Sequence, residues 1–326
     1  MGSASRNKIL VFCQEFDPQV DYTISLLKRF GVECIRWPTN TFPLKSSLAI
    51  NFREGAYAGA AKIGERQFDF REIRSAWYRH PAPYAFPADL SVDDRRFVER
   101  EVREAFAGFM QIAQWFWVNH PDKARIAASK ILQLKVAQSL GFEIPETLIT
   151  NDSVEAELFF NKCDQQMVYK AFGPGFFIES GKVLCTSPVS RENLKDLALL
   201  KSTPGIFQRI VQKRLDLRIT VIGRRVFATE IHSQGNPKSV NDWRAVPAEQ
   251  LPHAQHKLPH RIETLCLRFL RRFGLVYGAI DMVLTPEGRY VFLENNPSGQ
   301  FGWIEYQTGA PLTATLARLL VAGEMV

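Results

Sequence analysis

No run of this chain approaches the ~18 uninterrupted apolar residues of a membrane-spanning helix, although 46% of its 326 residues are hydrophobic. Cysteine is sparse. The five, Cys13, Cys34, Cys163, Cys185 and Cys266, are odd in number, scattered and free of C-x-x-C spacing. That argues against a metal ribbon or disulfide scaffold and for reduced thiols, each a small core residue, in a cytoplasmic protein. The start of the chain leads directly into a strand-like ILVFC and reads as lacking a signal peptide. Zinc-finger spacing, an aromatic RNA-binding strand motif and a basic zipper are all missing. The net charge of +7 therefore favours a nucleotide or acidic peptide as the anionic partner over nucleic acid. The turn after the first apolar run, FCQEFDP, holds no glycine, which excludes a Rossmann dinucleotide site there. There is no internal repeat.

What is present reads as an α/β protein. Lys8 to Cys13 is a buried strand. Asp17 to Phe30 has helical spacing, with Val20, Ile24, Leu27 and Phe30 on one face and Gly31 as its stop, and Val32 to Trp37 is the next strand. This β-α-β opening predicts a parallel α/β domain. Short strands follow over 46–72 around Gly55, Gly59 and Gly64, and another over Ile73 to Tyr78. A long charged helix is expected from Ser91 to Trp117 and a domain boundary at Val118-Asn119-His120-Pro121. Ala124 to Leu140 reads as one helix stopped by Gly141. Asp152 or Ser153 caps the next, Arg261 to Phe273 is a helix ended by Gly274, and Leu312 to Leu320 is an apolar last helix.

The chemistry concentrates in YGAIDMVLTPEGRYVFLENNPSGQFGW, residues 277–303. Pro286 and Gly288 between two apolar runs predict a β-hairpin. Glu294 and Asn296 are two apart on a strand and share a face, and antiparallel pairing can set Asp281 opposite them. Three oxygen ligands without His or Cys suit a hard cation whose remaining positions go to water and phosphate. The bland alternative is a pair of strand-end acids, solvated or held by Arg289.

Other positions carry a similar choice. Lys170 lies in the apolar strand MVYK before Gly173-Pro174-Gly175. Such a lysine either meets an anion beneath a glycine loop or keeps its head in water. A second hairpin runs over 216–231 with Gly223-Arg224 as its turn. Arg218 there is a phosphate clamp or a surface partner of Asp216. His253, His256 and His260 are separated by prolines and lack a suitably spaced carboxylate, so they are expected to be solvent-exposed histidines and not a metal cluster.

Together these segments resemble the ATP-grasp fold, with an N-terminal α/β pre-ATP-grasp domain. More narrowly, the sequence is similar to the microviridin-type graspetide ligases, which are ATP-grasp maturases of ribosomal peptides. The similarity is carried by FDPQVDYTISLLKRFGVECIRW near the start, WYRHP at 77–81 and WVNHPDKARIAASKILQLKVAQSLGFEIPETLITND at 117–152. It continues through FQRIVQKRLDLRITVIGRRVFATEI, DWR at 242–244 and FLENNPSGQFGWIEYQTGAPL. WYR-x-P and N-P-S-G-Q-F are the specific parts, whereas D…E-x-N is shared by many nucleotide enzymes. WYRHP departs from the family pattern in carrying His80 where a second arginine is usual.

The resemblance implies three units: residues 1–118 as the pre-ATP-grasp domain, 119–206 as the central subdomain with a phosphate-covering loop, and 207–326 as the C-terminal subdomain with the magnesium site. It implies ATP and Mg2+ as cofactors. Lys130 and Lys170 would contact phosphates. Gln208, Arg209, Ile210 and Val211 would form the hinge that meets adenine through backbone groups. Asp216 would lie near the ribose or brace Arg218. Arg218 and Arg244 would stabilise charge on the γ-phosphate and acyl phosphate, and Asp281, Glu294 and Asn296 would hold the metal. The implied partner is a ribosomal precursor peptide with leader and acidic core, with neither nucleic acid nor membrane, and the implied assembly is a homodimer. The expected reaction activates Glu or Asp side chains as acyl phosphates and closes ester or amide rings with Ser, Thr or Lys. Two alternatives stand beside it. One is an ATP-grasp ligase adding an amino acid to a protein tail or small acid, and the other is a nucleotide-binding regulatory module without turnover.

Overall fold

A computed structural model describes residues 6–53, 56–173 and 186–326. Gly55, Pro174, Gly175 and Cys185, and with them most of the expected phosphate-covering loop, lie outside the described residues.

The first sheet is parallel, in the order β2-β1-β6-β7. It is built from β1 (Lys8–Cys13), β2 (Glu33–Pro38), β6 (Ile73–Tyr78) and β7 (Phe116–Val118). Helix α1 (Pro18–Arg29) links β1 to β2. Asp17 starts it by accepting the amides of Gln19 and Val20, and Pro18 supplies a first position that needs no donor. An antiparallel ribbon of β3 (Ser46–Arg53), β4 (Ala56–Ile63) and β5 (Arg66–Asp69) precedes β6. Helix α2 spans Val92–Ile112, five residues short of the expected end at Trp117. The remaining stretch leaves the helix because Phe116–Val118 is needed as the edge strand beside β6. Phe106 and Phe109 of α2 pack on Phe12 and Trp37 to form this domain's core.

The segment expected as one helix is two: α3 (Pro121–Ala127) and α4 (Lys130–Leu140). Ser129 between them is extended, at φ −67° and ψ 106°. The break re-aims α4, so that Lys130 and Gln133 meet the third sheet. Gly141, at φ 93°, ends α4 as predicted.

The second sheet has the order β10-β9-β11-β8. It comprises β8 (Thr147–Thr150), β9 (Met167–Lys170), β10 (Ser187–Pro188) and β11 (Gly205–Arg209), covered by α5 (Ser153–Lys162) and a 3-10 segment over Arg191–Ser202. Asp152 caps α5. The third sheet, antiparallel, runs β14-β13-β12-β15-β16. Its strands are β12 (Leu215–Ile222), β13 (Arg225–Ile231), β14 (His253–His256), β15 (Tyr277–Leu284) and β16 (Tyr290–Asn296). Strands β12 and β15 are buried along their whole length because both faces are covered. On one face lie α3, α4 and α6 (His260–Phe273). The other looks into the gap towards the second sheet.

Two helices at the end of the chain close the molecule. Helix α7 (Gly302–Thr308) leads to α8 (Leu312–Ala322), whose Leu312, Leu316 and Leu320 pack against Ile9 and Val11 of the first sheet and Ile222 and Tyr277 of the third. The last helix thus joins the two ends of the chain. Since β11 belongs to the second sheet up to Arg209, we propose drawing the central unit to 209 instead of 206, with α3 and α4 counted with the C-terminal sheet on which they pack.

Candidate active site

The hairpin between β15 and β16 turns at Gly288, at φ +82°, and places Asp281 directly opposite Glu294 and Ala279 opposite Asn296. Arg218 on β12 lies beside Asp281 on the other side. Its Nη1 donates to both Asp281 oxygens at 2.9 Å, and both side chains are buried. Asp216 is not its partner. That carboxylate accepts from Lys213 Nζ at 2.8 and 2.9 Å and from Ser233 Oγ at 2.5 Å, so it fixes Lys213 at the rim of the gap and does not brace Arg218. Nor does Arg289 reach the two acids. It pairs with Glu143 and Glu287 instead.

Glu294 collects cations. Arg244 Nη1 lies 3.1 Å from Oε1 and Lys130 Nζ 3.4 Å from Oε2. Burial works against its ionisation, but Arg244, Lys130 and Lys170 outweigh that and hold its carboxyl below the usual range. Asp281 is pushed the other way, chiefly by burial and secondarily by Glu294, against the pull of Arg218. Lys130 also donates to the carbonyl of Ala171 at 2.7 Å, tying the end of β9 to β16. Lys170, half-buried at that same end, has its ammonium pKa lowered by burial, with Glu294 opposing and Arg244 and Lys130 reinforcing. Asn296 turns its Oδ1 to the amide of Ser298 at 2.9 Å.

Arg244 is aimed by Asp242. Asp242 Oδ1 accepts the Arg244 amide and Nε, and Oδ2 accepts Nη2 at 2.9 Å and the Thr186 amide at 3.2 Å. Burial opposes the charge on Asp242, yet these bonds hold its pKa at about 2. In the tripeptide 242–244 the resemblance marks the arginine alone, and the signal for the aspartate that orients it is its place two residues earlier.

Beside this centre a cleft opens between the second and third sheets. Val168 lines one side, Val283 and Leu293 the other, and the Gln208–Lys213 segment forms the back. The side chain of Arg209 points away, to Glu146 and Asp164. The amides of Arg209 and Ile210 go to the carbonyls of Glu146 and Gln166. The Val211 amide has no hydrogen-bond partner among the described residues.

The N-P-S-G loop after β16 is held by residues far away in sequence. Gly299 admits no side chain: a Cβ there would come within 2.7 Å of Arg218 Nη2 and 2.6 Å of the Ala279 Cβ. Tyr277 Oη donates to its carbonyl at 2.5 Å. The Ser298 carbonyl accepts from Arg79 Nη1 at 3.1 Å and lies 2.5 Å from His80 Nε2. His80, at φ 42°, has its imidazole pKa lowered by burial first and then by Arg79. It therefore meets the loop as a neutral ring whose Nε2–H donates. WYRHP, in the first domain, is the wall against which the loop is set.

The expectation of solvent-exposed histidines holds for His260 and is corrected for His253 and His256, which are half-buried. His256 bonds Glu230 at 2.7 Å and Tyr290 Oη at 2.9 Å, and His253 lies edge-on to Trp303. Among the described residues no group of three or more His, Cys, Asp or Glu side chains converges as a metal cage. A cation here would need Asn296 and ligands from outside the chain as well. The oxygen-only donors Asp281, Glu294 and Asn296 fit a magnesium ion that arrives with phosphate oxygens.

A family model described as the MvdD pre-ATP grasp domain matches residues 8–125. An RiPP-associated ATP-grasp ligase from Chryseobacterium gregarium, solved with ADP and a leader and core peptide, is 30% identical over 98% of this chain and 99% of that one, at a TM-score of 0.90. The macrocyclase MdnC from Microcystis aeruginosa MRC, solved with the precursor peptide MdnA, is also 30% identical, over 97% and 99%, at 0.85. The ligase PsnB, at 20% identity and a TM-score of 0.77, shares the fold. No curated protein matches the chain. The fold and site define an ATP-grasp ligase. Within that class, the chain belongs to the ligases that modify ribosomally made peptides, the graspetide maturases.

Proposed function

We propose that the chain activates Glu or Asp side chains of a ribosomal precursor peptide with ATP and closes ester or amide rings with Ser, Thr or Lys of the same peptide. The observation that carries this is the facing pair Asp281 and Glu294, with Arg218, Arg244, Lys130 and Lys170 around it, beside a cleft that Lys170 lines together with Val168, Val283 and Leu293. A carboxylate approaching a triphosphate meets a polyanion, and cations fixed in a buried site offset that repulsion.

Val168, Val283 and Leu293 suit the faces of a planar base, and the Val211 amide is the hinge group left to read its edge. Lys130 and Lys170 bind phosphate oxygens, and Lys130 lets go of Glu294 as it does so. Arg218 and Arg244 face the reacting phosphoryl group. Asp281, Glu294 and Asn296 would hold magnesium, which when bound would supply charge neutralisation at phosphate oxygens. A peptide carboxylate oxygen bonds to the γ-phosphorus while the bond to the bridging oxygen breaks and ADP leaves. The hydroxyl oxygen or amine nitrogen of the acceptor then bonds to the acyl carbon. Its proton leaves, the carbon–oxygen bond to phosphate breaks, and phosphate departs. No enzyme nucleophile is required. We place this reaction in the cytoplasm: Cys13, Cys34, Cys163 and Cys266 are free thiols, and among the described residues no helix is long and apolar enough to cross a membrane.

The test is mass spectrometry of a short Ser/Thr/Lys- and Glu/Asp-rich peptide encoded beside this chain. Incubation with ATP and Mg2+ should remove one water per ring. A gain by the mass of a free amino acid would favour the alternative ligase, and an unchanged peptide without phosphate release would sink both.

A further inference from the structure

Strand β16 carries Glu294 and Asn296 and is the outer strand of its sheet. In an antiparallel ladder, alternate residues turn their backbone groups away from the neighbour. Ile280 pairs with Asn295, and both Asn295 backbone groups turn outward. An outer strand with unpaired groups and a polar end is weakly held in register, and a slip of one residue swaps the two faces. Here a slip would carry Glu294 from the cation cluster to the apolar face under α4 and α6.

One side chain closes that edge. Gln133 on α4 is 2% exposed. Its Oε1 accepts the Asn295 amide at 2.8 Å, and its Nε2 donates to the Asn295 carbonyl at 2.8 Å and to the Ala127 carbonyl at 2.6 Å. The amide thus does what a further strand would do, for a single residue, and it holds on to the end of α3 as well. Lys130 stands one helical turn earlier on the same helix and reaches Glu294 itself. Further along β16 the edge is taken up by Glu143, whose carbonyl accepts the Phe292 amide at 2.8 Å.

We infer that Gln133 is the positioning residue of the metal–nucleotide centre: its amide pins Asn295 so that Glu294 and Asn296 on either side present their oxygens to the site, in step with Lys130. This rests on the proposed roles of Glu294 and Asn296. Gln133 touches neither substrate nor metal, so its loss acts through the strand.

The experiment measures ADP affinity by calorimetry with Mg2+ and again with EDTA, for the full chain and for Gln133→Ala, Gln133→Glu and Glu294→Gln. Wild type and Glu294→Gln test the site. Wild type should bind ADP more tightly with Mg2+, and Glu294→Gln should lose that gain. Gln133→Ala should lose about 10–100-fold of the Mg2+-dependent gain, the range found for supporting partners of metal ligands, while its affinity in EDTA stays within a few-fold of wild type. Gln133→Glu keeps the size of the side chain and an acceptor for the Asn295 amide but sets an oxygen against the Asn295 carbonyl. It serves where the alanine variant does not fold, and it should lose the gain too. A folded Gln133 variant with the full Mg2+-dependent gain overturns the inference and leaves the site intact. If Glu294→Gln keeps the gain, the site assignment itself falls, and the role of Gln133 with it.

Discussion

The buried polar cluster around Asn119 and the one around Glu294 and Asp281 are built on opposite plans. At the seam between the first domain and the third sheet, Asn119 spends both ends of its amide. Nδ2 donates to the carbonyls of Tyr277 and Pro297, each at 2.8 Å, and Oδ1 accepts the amides of Val276 and Tyr277 at 2.7 and 3.0 Å. Nearby, Ser75 Oγ donates to the Leu320 carbonyl at 2.7 Å. Every one of these bonds joins side chain to backbone, is neutral and is complete within the chain. The centre around Glu294 and Asp281 is charged and strained between partners. Glu294 is shared by Arg244 and Lys130, Lys170 is desolvated, and the buried Nε of Arg218 has no hydrogen-bond partner among the described residues. A satisfied network stabilises a fold. One that holds cations over too few anions is poised for an anion from outside.

The comparison can be broken in several ways. The largest effect should come from Glu294→Gln, which leaves Lys130 and Arg244 facing a neutral amide. Ring closure should fall by about a hundred- to a thousandfold, read as the rate of ATP-dependent water loss from the peptide, with the folded state retained. Asn119→Ala should do the reverse. It leaves buried amides and carbonyls unmatched and should lower unfolding stability by about 3 kcal/mol, followed by urea titration.

Asp242 is intermediate, since it serves both plans. Its folded pKa of about 2 lies below the ordinary 3.8, a difference that corresponds to about 2 kcal/mol. The unfolded chain takes up this proton more readily, so the stabilisation is full above about pH 4 and fades as the pH falls towards 2. Asp242→Asn should therefore be less stable than wild type at neutral pH, and the gap in urea midpoint should narrow steadily on acidification through that window. A gap that does not change with pH would deny Asp242 its charge pairing. The smallest effect has the opposite sign. Lys170→Met removes a charge that burial disfavours and should stabilise the protein by about 1 kcal/mol, while weakening ADP binding. A destabilised Lys170→Met would mean that this lysine belongs to the structural plan.

The elements differ in how far they could be read in advance. The β15–β16 hairpin and the pairing of Asp281 with Glu294 were legible, because Pro286 and Gly288 set the turn and strand alternation sets the faces. Helix α1, with Asp17 and Pro18 at its start, and the glycine stops at 141 and 274 were legible for the same local reasons. The break at Ser129 was not. The apolar spacing of 124–140 is continuous, and only the demand that Lys130 and Gln133 meet β16 interrupts it. The choice between Asp216 and another partner for Arg218 stayed open in the sequence, because strand alternation states which side chains share a face but not which neighbouring strand supplies the closer acid.

Apolar periodicity, caps and turn residues act within a few positions of themselves. The β-α-β opening, the two hairpins and the oxygen-only character of the acidic cluster were therefore written in the order of the amino acids. Asn119 meets Tyr277, Gln133 meets Asn295, and Arg79 and His80 meet Ser298 across long stretches of chain. Such pairings exist only once α8 has joined the first sheet to the third and the outer strand has found its helix. Hydrogen bonds from side chains to remote backbone leave no periodic trace, and so folding in three dimensions settled which residues hold the site in place.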